Sequence, residues 1–430
     1  MKLLDFQQKI LDETKDKNRC AYYLDMGLGK TFVGGEKLSR LNEPVSLVVC
    51  QKSKVSDWYS HFCRFYGKGN IVYDLTDKNQ FERFIKAVED RCDLFKLIGI
   101  INYDLAFRRK ELQTLRGFTL MLDESQYIKN DKAKRTKFIQ QMDAKNVILL
   151  SGTPTGGRYE ELWTQCRLLG WGITKTQFWD YYVKYRLYSP APNVYPIKIV
   201  TGYKNIDDLK FQLRKHGAVF LKTEEVLELP DQTFTSIVVP INTQYKTFMK
   251  DRVITVEGNT LLGDTTLKML LYSRQLCSVF SEKKLAAFKD WVESNNTRLI
   301  VFYNFTSELE KMLEVVGNRP TSIVNGHTKD LEAYETEDNA ITFVQYQAGA
   351  TGLNLQKANY IAYFSPPLSS ELYEQSKKRI HRIGQSNTCF YYQFICKDSI
   401  EEHIYSVLAE RRDYTNLLFQ KEFEYAQANP

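Results

Sequence analysis

The sequence predicts an α/β protein of two tandem lobes, each built around a parallel sheet. Three observations carry that expectation. The chain has 430 residues, more than one hydrophobic core organises before chains split into domains. Short β-branched and aromatic runs alternate with amphipathic stretches, the pattern of βα units rather than of sandwiches. That alternation also occurs twice, in two series separated by a segment of different texture. The expected boundaries are 1–230 for the N-terminal lobe and 231–430 for the C-terminal lobe.

In the first series, Ala21 to Leu24, Val45 to Cys50, Ile71 to Leu75, Leu97 to Asn102, Phe118 to Leu122 and Val147 to Leu150 read as buried strands. Segments 31–41, 54–66, 79–90 and 132–142 have helical periodicity and flank them. Residues 158–228 are rich in aromatics and lack strand periodicity, so they predict a small helical insertion, interrupted by a loop at Ser189 to Pro196. Its tyrosines and Trp179 could pack or stack on bases. A linker near Leu229-Pro230 opens the second series. There, Leu299 to Tyr303, Ser322 to Val324, Ile341 to Gln345, Tyr360 to Phe364 and Phe390 to Ile395 are strands, with helices near 281–294, 305–316 and 370–382. Ser399 to Ala426 reads as a C-terminal brace helix carrying Ile404, Leu408, Leu417 and Leu418 on or near one side.

Composition excludes several classes. A 43% hydrophobic and 26% charged chain is ordinary for a globular protein, and no apolar run approaches the ~20 residues a membrane helix needs. The start does not resemble a secretory signal. Eight cysteines form no Cys-x-x-Cys pair and no metal-ligand cluster with the five histidines, which predicts reduced thiols in a cytoplasmic chain. A net charge of +7 is mild, but Arg108 to Lys110, the lysines and arginine of 132–137, and Lys377 to Arg379 concentrate it locally.

The chemistry sits at the ends of strands. Gly27-Leu-Gly-Lys-Thr31 follows the first strand and opens a helix, so backbone N–H groups and the helix dipole can face phosphate. Lys30 would contact the β- and γ-phosphates, and Thr31 would bind magnesium. Leu24 stands where the full Gly-x-x-x-x-Gly-Lys pattern has its first glycine. Asp123-Glu124 comes directly after a core strand, at the sheet edge where open α/β folds bind ligands. Asp123 can hold magnesium through water, and Glu124 can polarise an attacking water. Ser151 to Gly157 forms a tight polar loop at the same edge, a candidate sensor of the γ-phosphate. Far along the chain, Gln375, Arg379 and Arg382 share one face if 370–382 is helical. Arginines delivered from a second domain accelerate phosphoryl transfer by ~10³ to 10⁵. The two distant segments read as halves of one ATPase site, which couples hydrolysis to relative domain movement.

The motifs Phe6-Gln7, Asp25 to Thr31, Leu47 to Ser53, Asp123 to Gln126, Ser151 to Gly157, Ala348 to Asn354 and His381 to Gln385 occur in the order shown by superfamily-two helicases. Met26 to Thr31, Gly349 to Asn354 and His381-Arg-Ile-Gly-Gln385 resemble the Swi/Snf-type branch of DNA-translocating ATPases, over residues ~3–410. The resemblance implies two RecA-like lobes and the cofactors ATP and Mg²⁺. It implies that Gln7 recognises adenine, that Gly27, Gly29, Lys30, Thr31, Gly352 and Gln375 contact nucleotide, that Thr31 and Asp123 hold the metal, and that Lys30, Asp123, Glu124, Arg379 and Arg382 carry catalysis. It also implies that Lys52, Ser53, Tyr103, Asn304, Thr351 and Asn354 lie in segments approaching the nucleic-acid backbone. Gln51 replaces a usual proline, Ser125-Gln126 a usual Gly-His, and Lys378 and Ala350 stand at positions where glycine is frequent; no charged catalytic group is lost.

The expected function is an ATP-driven motor on double-stranded DNA, binding without sequence specificity through backbone electrostatics. Alternatives are a strand-separating or branch-migrating helicase, a non-hydrolysing nucleic-acid clamp, and the motor subunit of a nuclease assembly. The small amount of sequence outside the lobes suggests a bacterial or viral origin.

Overall fold

The computed structural model describes residues 2–90, 94–189, 195–349 and 353–419. These fall into two compact units whose boundary lies between Leu227 and Glu228, the second running to Arg412. Both are α/β units with parallel sheets, the tandem RecA-like arrangement.

The first unit contains β1 (Arg19–Leu24), β2 (Val45–Cys50), β3 (Asn70–Asp74), β4 (Lys96–Asn102), β5 (Arg116–Asp123), β6 (Asp143–Ser151), β7 (Val183–Tyr188), β8 (Ile197–Tyr203) and β9 (Ala218–Leu221). Its main sheet has the order β3-β4-β2-β5-β6-β1-β9, with every pair parallel. Parallel strands covered on both faces need apolar side chains throughout. Along β1, Ala21 and Tyr23 enter one core, with Phe84, Ile139 and Phe178. Cys20, Tyr22 and Leu24 enter the opposite core, against Val33 and Leu38 of helix Lys30–Leu41 and Trp58 and Phe62 of helix Val55–Tyr66. Because the strands are parallel, the loops after β1, β2, β4, β5 and β6 all emerge at one carboxyl edge.

Residues 158–228, expected to be helical, contain three strands as well as helices. β9 is only Ala-Val-Phe-Leu, too short for periodicity to separate strand from helix; pairing with β1 decides it. β7 and β8 form an antiparallel hairpin whose side chains are largely exposed on both faces, so no alternation of burial marked it in the sequence.

The second unit contains β10 (Gln232–Val239), the antiparallel hairpin β11 (Val253–Val256) and β12 (Asn259–Leu262), then β13 (Leu299–Tyr303), β14 (Thr321–Val324), β15 (Ile341–Gln345), β16 (Tyr360–Tyr363) and β17 (Cys389–Cys396). The parallel sheet has the order β10-β17-β16-β13-β15-β14. β10 was not anticipated; it pairs with β17 from Gln232↔Cys389 to Val239↔Cys396. The helix expected over 370–382 spans Ser370–Lys377. Beyond it the chain serves the neighbouring loop instead: the Arg379 carbonyl accepts from Leu355 N at 3.1 Å, and the Gln385 side-chain Nε2 donates to the Ala358 and Gln356 carbonyls.

The final helix is Ile400–Phe419, with Ile404 and Leu408 in the core of this unit. The Leu417 and Leu418 side chains and residues 420–426 lie outside the described part. At the start of this helix Glu401 meets Lys284, both oxygens within 2.7 Å of Nζ and both residues almost wholly buried. Cys277 and Cys396 adjoin this ion pair, a convergence of sequence-distant residues with no local spacing to announce it. The described cysteines are all free. Among the described residues no helix is long and apolar enough to cross a membrane.

Candidate nucleotide site and neighbouring pockets

Between β1 and helix Lys30–Leu41 the chain turns through Gly27 (φ 91°) and Gly29 (φ 75°), left-handed conformations that glycine adopts without strain. A β-carbon at Gly29 would also lie 2.4 Å from Gln7 Nε2, so a side chain there has to displace the Gln7 amide or the loop. Gln7 is buried beneath this loop. Its Nε2 donates to the Leu28 carbonyl at 2.9 Å, and its Oε1 accepts from Leu4 N at 3.0 Å. The residue assigned to adenine from sequence therefore ties the first helix to the phosphate-type loop. Lys30 Nζ donates to the Leu24 carbonyl at 3.0 Å and lies against Gly152, where a β-carbon would be 3.0 Å away. Thr31 is half-buried in the first helical turn. Asp25 accepts the Thr223 hydroxyl at 2.9 Å, tying the loop to the segment after β9.

Asp123 ends β5, and Glu124 follows in the left-handed region at φ 52°, ψ 59°, a conformation costly for a non-glycine residue. Burial, then the adjacent Glu124 charge, push the Asp123 carboxyl up to about 6, against the opposing pull of the Trp58 hydrogen bond and the Lys30 charge. Trp58 Nε1 donates to Asp123 Oδ2 at 2.8 Å, Tyr103 donates its hydroxyl to the Asp123 carbonyl at 2.8 Å, and Gln126 Nε2 donates to Glu124 Oε2 at 2.8 Å.

The Ser151 loop joins the same network. Ser151 Oγ donates to Gln126 Oε1 at 2.7 Å and accepts from Thr153 N at 3.0 Å. Gln165, fully buried, receives the hydroxyls of Tyr23 (3.0 Å) and Ser125 (2.7 Å) on Oε1 and donates from Nε2 to the Pro154 carbonyl at 2.8 Å. Sequence reasoning missed Gln165 and Trp58; each lies on a helix far along the chain from its partners, and only the fold brings it to the site.

Beside the acidic strand end, a pocket of 520 Å³ is lined by Gln51, Lys52, Ser53, Asn102, Tyr103 and Tyr127 among others. It unites three residues assigned from sequence to nucleic acid. Lys52 and Ser53 are exposed, whereas Tyr103 is buried and stacks on Tyr127 at 5.3 Å and 13°. With its hydroxyl on the Asp123 carbonyl, Tyr103 connects this pocket to the carboxylates.

In the second unit, Gln375 lies in helix Ser370–Lys377 and is buried, Arg379 is 2% exposed, and Arg382 is half-buried. Arg382 donates to Asn354 Oδ1 and, at 3.5 Å, to the Leu353 carbonyl. Asn354 is exposed; Thr351 and Gly352 lie outside the described residues. Asn304 Nδ2 donates to Ser365 Oγ at 2.7 Å, at the rim of a 260 Å³ pocket shared with Arg274, Gln345 and Tyr346.

The first unit thus presents a cation, two carboxylates and a glycine turn at a helix N-terminus on one sheet edge. The family model of the SNF2-related domain matches residues 13–282, and that of the helicase conserved C-terminal domain matches 283–384. An uncharacterized ATP-dependent helicase of Mycoplasma pneumoniae is 24% identical over 428 residues, covering 90% of this chain and 39% of that protein. The SWI/SNF-related matrix-associated actin-dependent regulator of chromatin subfamily A-like protein 1 of Xenopus laevis is 24% identical, covering 90% of this chain and 41% of that protein. The chain spans less than half the length of these curated relatives. Among solved structures, the Sulfolobus solfataricus SWI2/SNF2 ATPase core in complex with dsDNA matches 97% of this chain and 93% of that one, at 18% identity and a TM-score of 0.46.

Proposed function

The chain belongs to the SNF2-related family of ATP-dependent helicases, and from that premise we propose that it is a DNA-stimulated ATPase that moves along double-stranded DNA. The observation carrying this reading is the convergence of Lys30, Asp123, Glu124 and the Ser151 loop at one sheet edge, one hydrogen bond from the Tyr103 pocket.

The donor set fits ATP and magnesium. Gly27 and Gly29 open the backbone N–H groups at the start of a 12-residue helix, a ready anion site. Asp123 and Glu124 are adjacent carboxylates; burial, then the Glu124 charge, raise the Asp123 pKa, so a cation bound there offsets both costs. Lys30 and Thr31 would hold phosphate and metal, with Asp123 as the second metal contact. Bound Mg²⁺–ATP supplies the transferable phosphoryl group and neutralises its charge.

Glu124, held by the Gln126 amide, is proposed to orient water. Gln126 also accepts the Ser151 hydroxyl, so a shift of the Ser151 loop moves the group that holds Glu124. Tyr103 offers a second input, because displacement of its ring by a backbone phosphate at Lys52 and Ser53 would pull on the Asp123 carbonyl. Arg379 and Arg382 are proposed as the cations that neutralise the phosphoryl group during transfer. Asn304, Thr351 and Asn354 are proposed for the DNA-gripping segments of the second lobe.

One ATPase assay run in parallel with no nucleic acid, single-stranded DNA, double-stranded DNA and RNA tests the reading. Strongest stimulation by duplex DNA is expected; stimulation by RNA alone overturns it.

A further inference from the structure

The β7–β8 hairpin contributes no residue to the nucleotide site described above. A two-stranded ribbon is marginal in water unless something covers it, yet this one keeps Leu187 63%, Tyr188 49% and Ile197 54% exposed, with Tyr195 near its tip 94% exposed. Scattered exposed apolar residues are ordinary, but Tyr188 and Ile197 are direct cross-strand partners that leave one apolar patch open to solvent, while Leu187 is exposed on the other face of the ribbon.

Its charge indicates the partner. From Val183 to Lys204 there is no aspartate or glutamate, while Lys184, Arg186, Lys198 and Lys204 are all cationic and exposed. Lys198 Nζ stands 4.0 Å from the centre of the Tyr185 ring and 5.4 Å from that of Trp179, which hold it at the surface without neutralising it. Such a surface complements a polyanion and repels a basic protein face, and duplex DNA is the polyanion of the proposed function.

The register refines this further. Lys198 pairs with Leu187, and Ile199 with Arg186, so Lys198 and Arg186 project from opposite faces of the ribbon. A ribbon with cations on both faces suits a slot walled by phosphate on both sides. The DNA major groove, about 12 Å wide, admits a two-stranded ribbon and has that form.

We infer that the β7–β8 hairpin enters the major groove of duplex DNA, Arg186 and Lys198 meeting the phosphates on its two sides while Leu187, Tyr188 and Ile197 rest against sugars and base edges. The inference rests on the proposed duplex-DNA function and adds a contact outside every motif assigned to DNA above. The cations meet phosphate and no base-specific donor is involved, so the contact adds grip without sequence preference.

The test compares the full chain with an Arg186→Ala/Lys198→Ala double variant, measuring affinity for a fluorescent duplex and for single-stranded DNA of equal length at several salt concentrations. Loss of two phosphate contacts should lower the log–log salt slope on duplex by about 1.8 and weaken duplex binding roughly tenfold. ATPase without nucleic acid should be unchanged, and an Arg186→Lys/Lys198→Arg variant should retain the wild-type slope. An unchanged duplex slope overturns the inference, as does a loss confined to single strands. Loss of self-association in sedimentation with duplex binding intact also overturns it and assigns the surface to a second copy of the chain. If the wild-type chain neither binds duplex nor is stimulated by it, the proposed function itself fails; a hairpin failure leaves that stimulation in place.

Discussion

Trp58 donates its indole N–H to the Asp123 carboxylate at 2.8 Å, so a helix from one face of the sheet holds the acidic group at the sheet edge. Hydrogen bonds to charged groups contribute about 1.5–3 kcal/mol, and Phe at position 58 would keep most of the packing against Phe62. Trp58→Phe should therefore reduce ATPase about tenfold or more and raise the magnesium concentration needed for half-maximal rate. Magnesium titrations of the two proteins check this; an unchanged requirement shows the bond to be structural only.

Lys30→Ala and Glu124→Gln should each lower hydrolysis by at least about a thousandfold, since each removes a charge aimed at phosphoryl transfer. Neither side chain lines the Lys52 pocket, so duplex binding should remain measurable by fluorescence anisotropy. Full turnover in either variant removes the assignment of this edge as the ATPase site.

His61 gives a pH signature of stability. It is 7% exposed, ringed by Phe32, Trp58, Phe62, Phe65 and Tyr66, and its Nε2 has no hydrogen-bond partner. Burial lowers its pKa from 6.5 to about 4. Between those values the unfolded chain binds a proton that the folded chain does not, so stability is full above pH 6.5 and falls as pH drops toward 4. The loss is at most about 3 kcal/mol at one pKa unit per 1.36 kcal/mol. Urea unfolding at pH 7.5 and pH 5 should show this loss in the wild type and a smaller one in His61→Phe.

Lys284→Met should destabilise the second unit by roughly 3–5 kcal/mol, because it leaves the Glu401 carboxylate buried without its cation. Lys284→Met/Glu401→Leu should recover much of that loss, and thermal melts of both variants decide it. If the single variant melts like the wild type, Glu401 is held chiefly by the Cys396 N–H at 2.9 Å.

Gly29→Ala should impair nucleotide binding more than stability. It would put a side chain into a left-handed conformation 2.4 Å from Gln7 Nε2 and so displace the loop or Gln7. Binding of a fluorescent ATP analogue, set against the melting temperature, separates the two effects.

Much of the fold was legible because β2, β13 and β15 are buried on both faces and therefore appear as mostly apolar runs, unbroken in β13 and interrupted by Ser46 in β2 and by Thr342 in β15. That Lys30 opens a helix behind a glycine turn and that Asp123-Glu124 closes a core strand was legible, because both are local features of the chain. For Arg379 and Arg382 a helical face was expected, whereas the helix ends at Lys377 and bonds to the loop at Leu355, Gln356 and Ala358 hold the following segment in turns. Gln165 was invisible, since its importance lies in partners at positions 23, 125 and 154 that no local pattern connects to it.

By itself the sequence determined the two-lobe α/β architecture, the glycine loop, the acidic strand end and the order of the motifs, because hydrophobic periodicity and strand-end chemistry are local properties of a chain. Tertiary structure alone decided that Gln7 braces the glycine loop, that Tyr103 hangs from the Asp123 carbonyl, and that Lys284 meets Glu401 across 117 residues. It also decided that Val183–Tyr188 and Ile197–Tyr203 pair as a cationic ribbon rather than forming part of a helical insertion. Each of these depends on which distant backbone or side-chain group satisfies a polar atom removed from water, a choice made only when the sheets assemble.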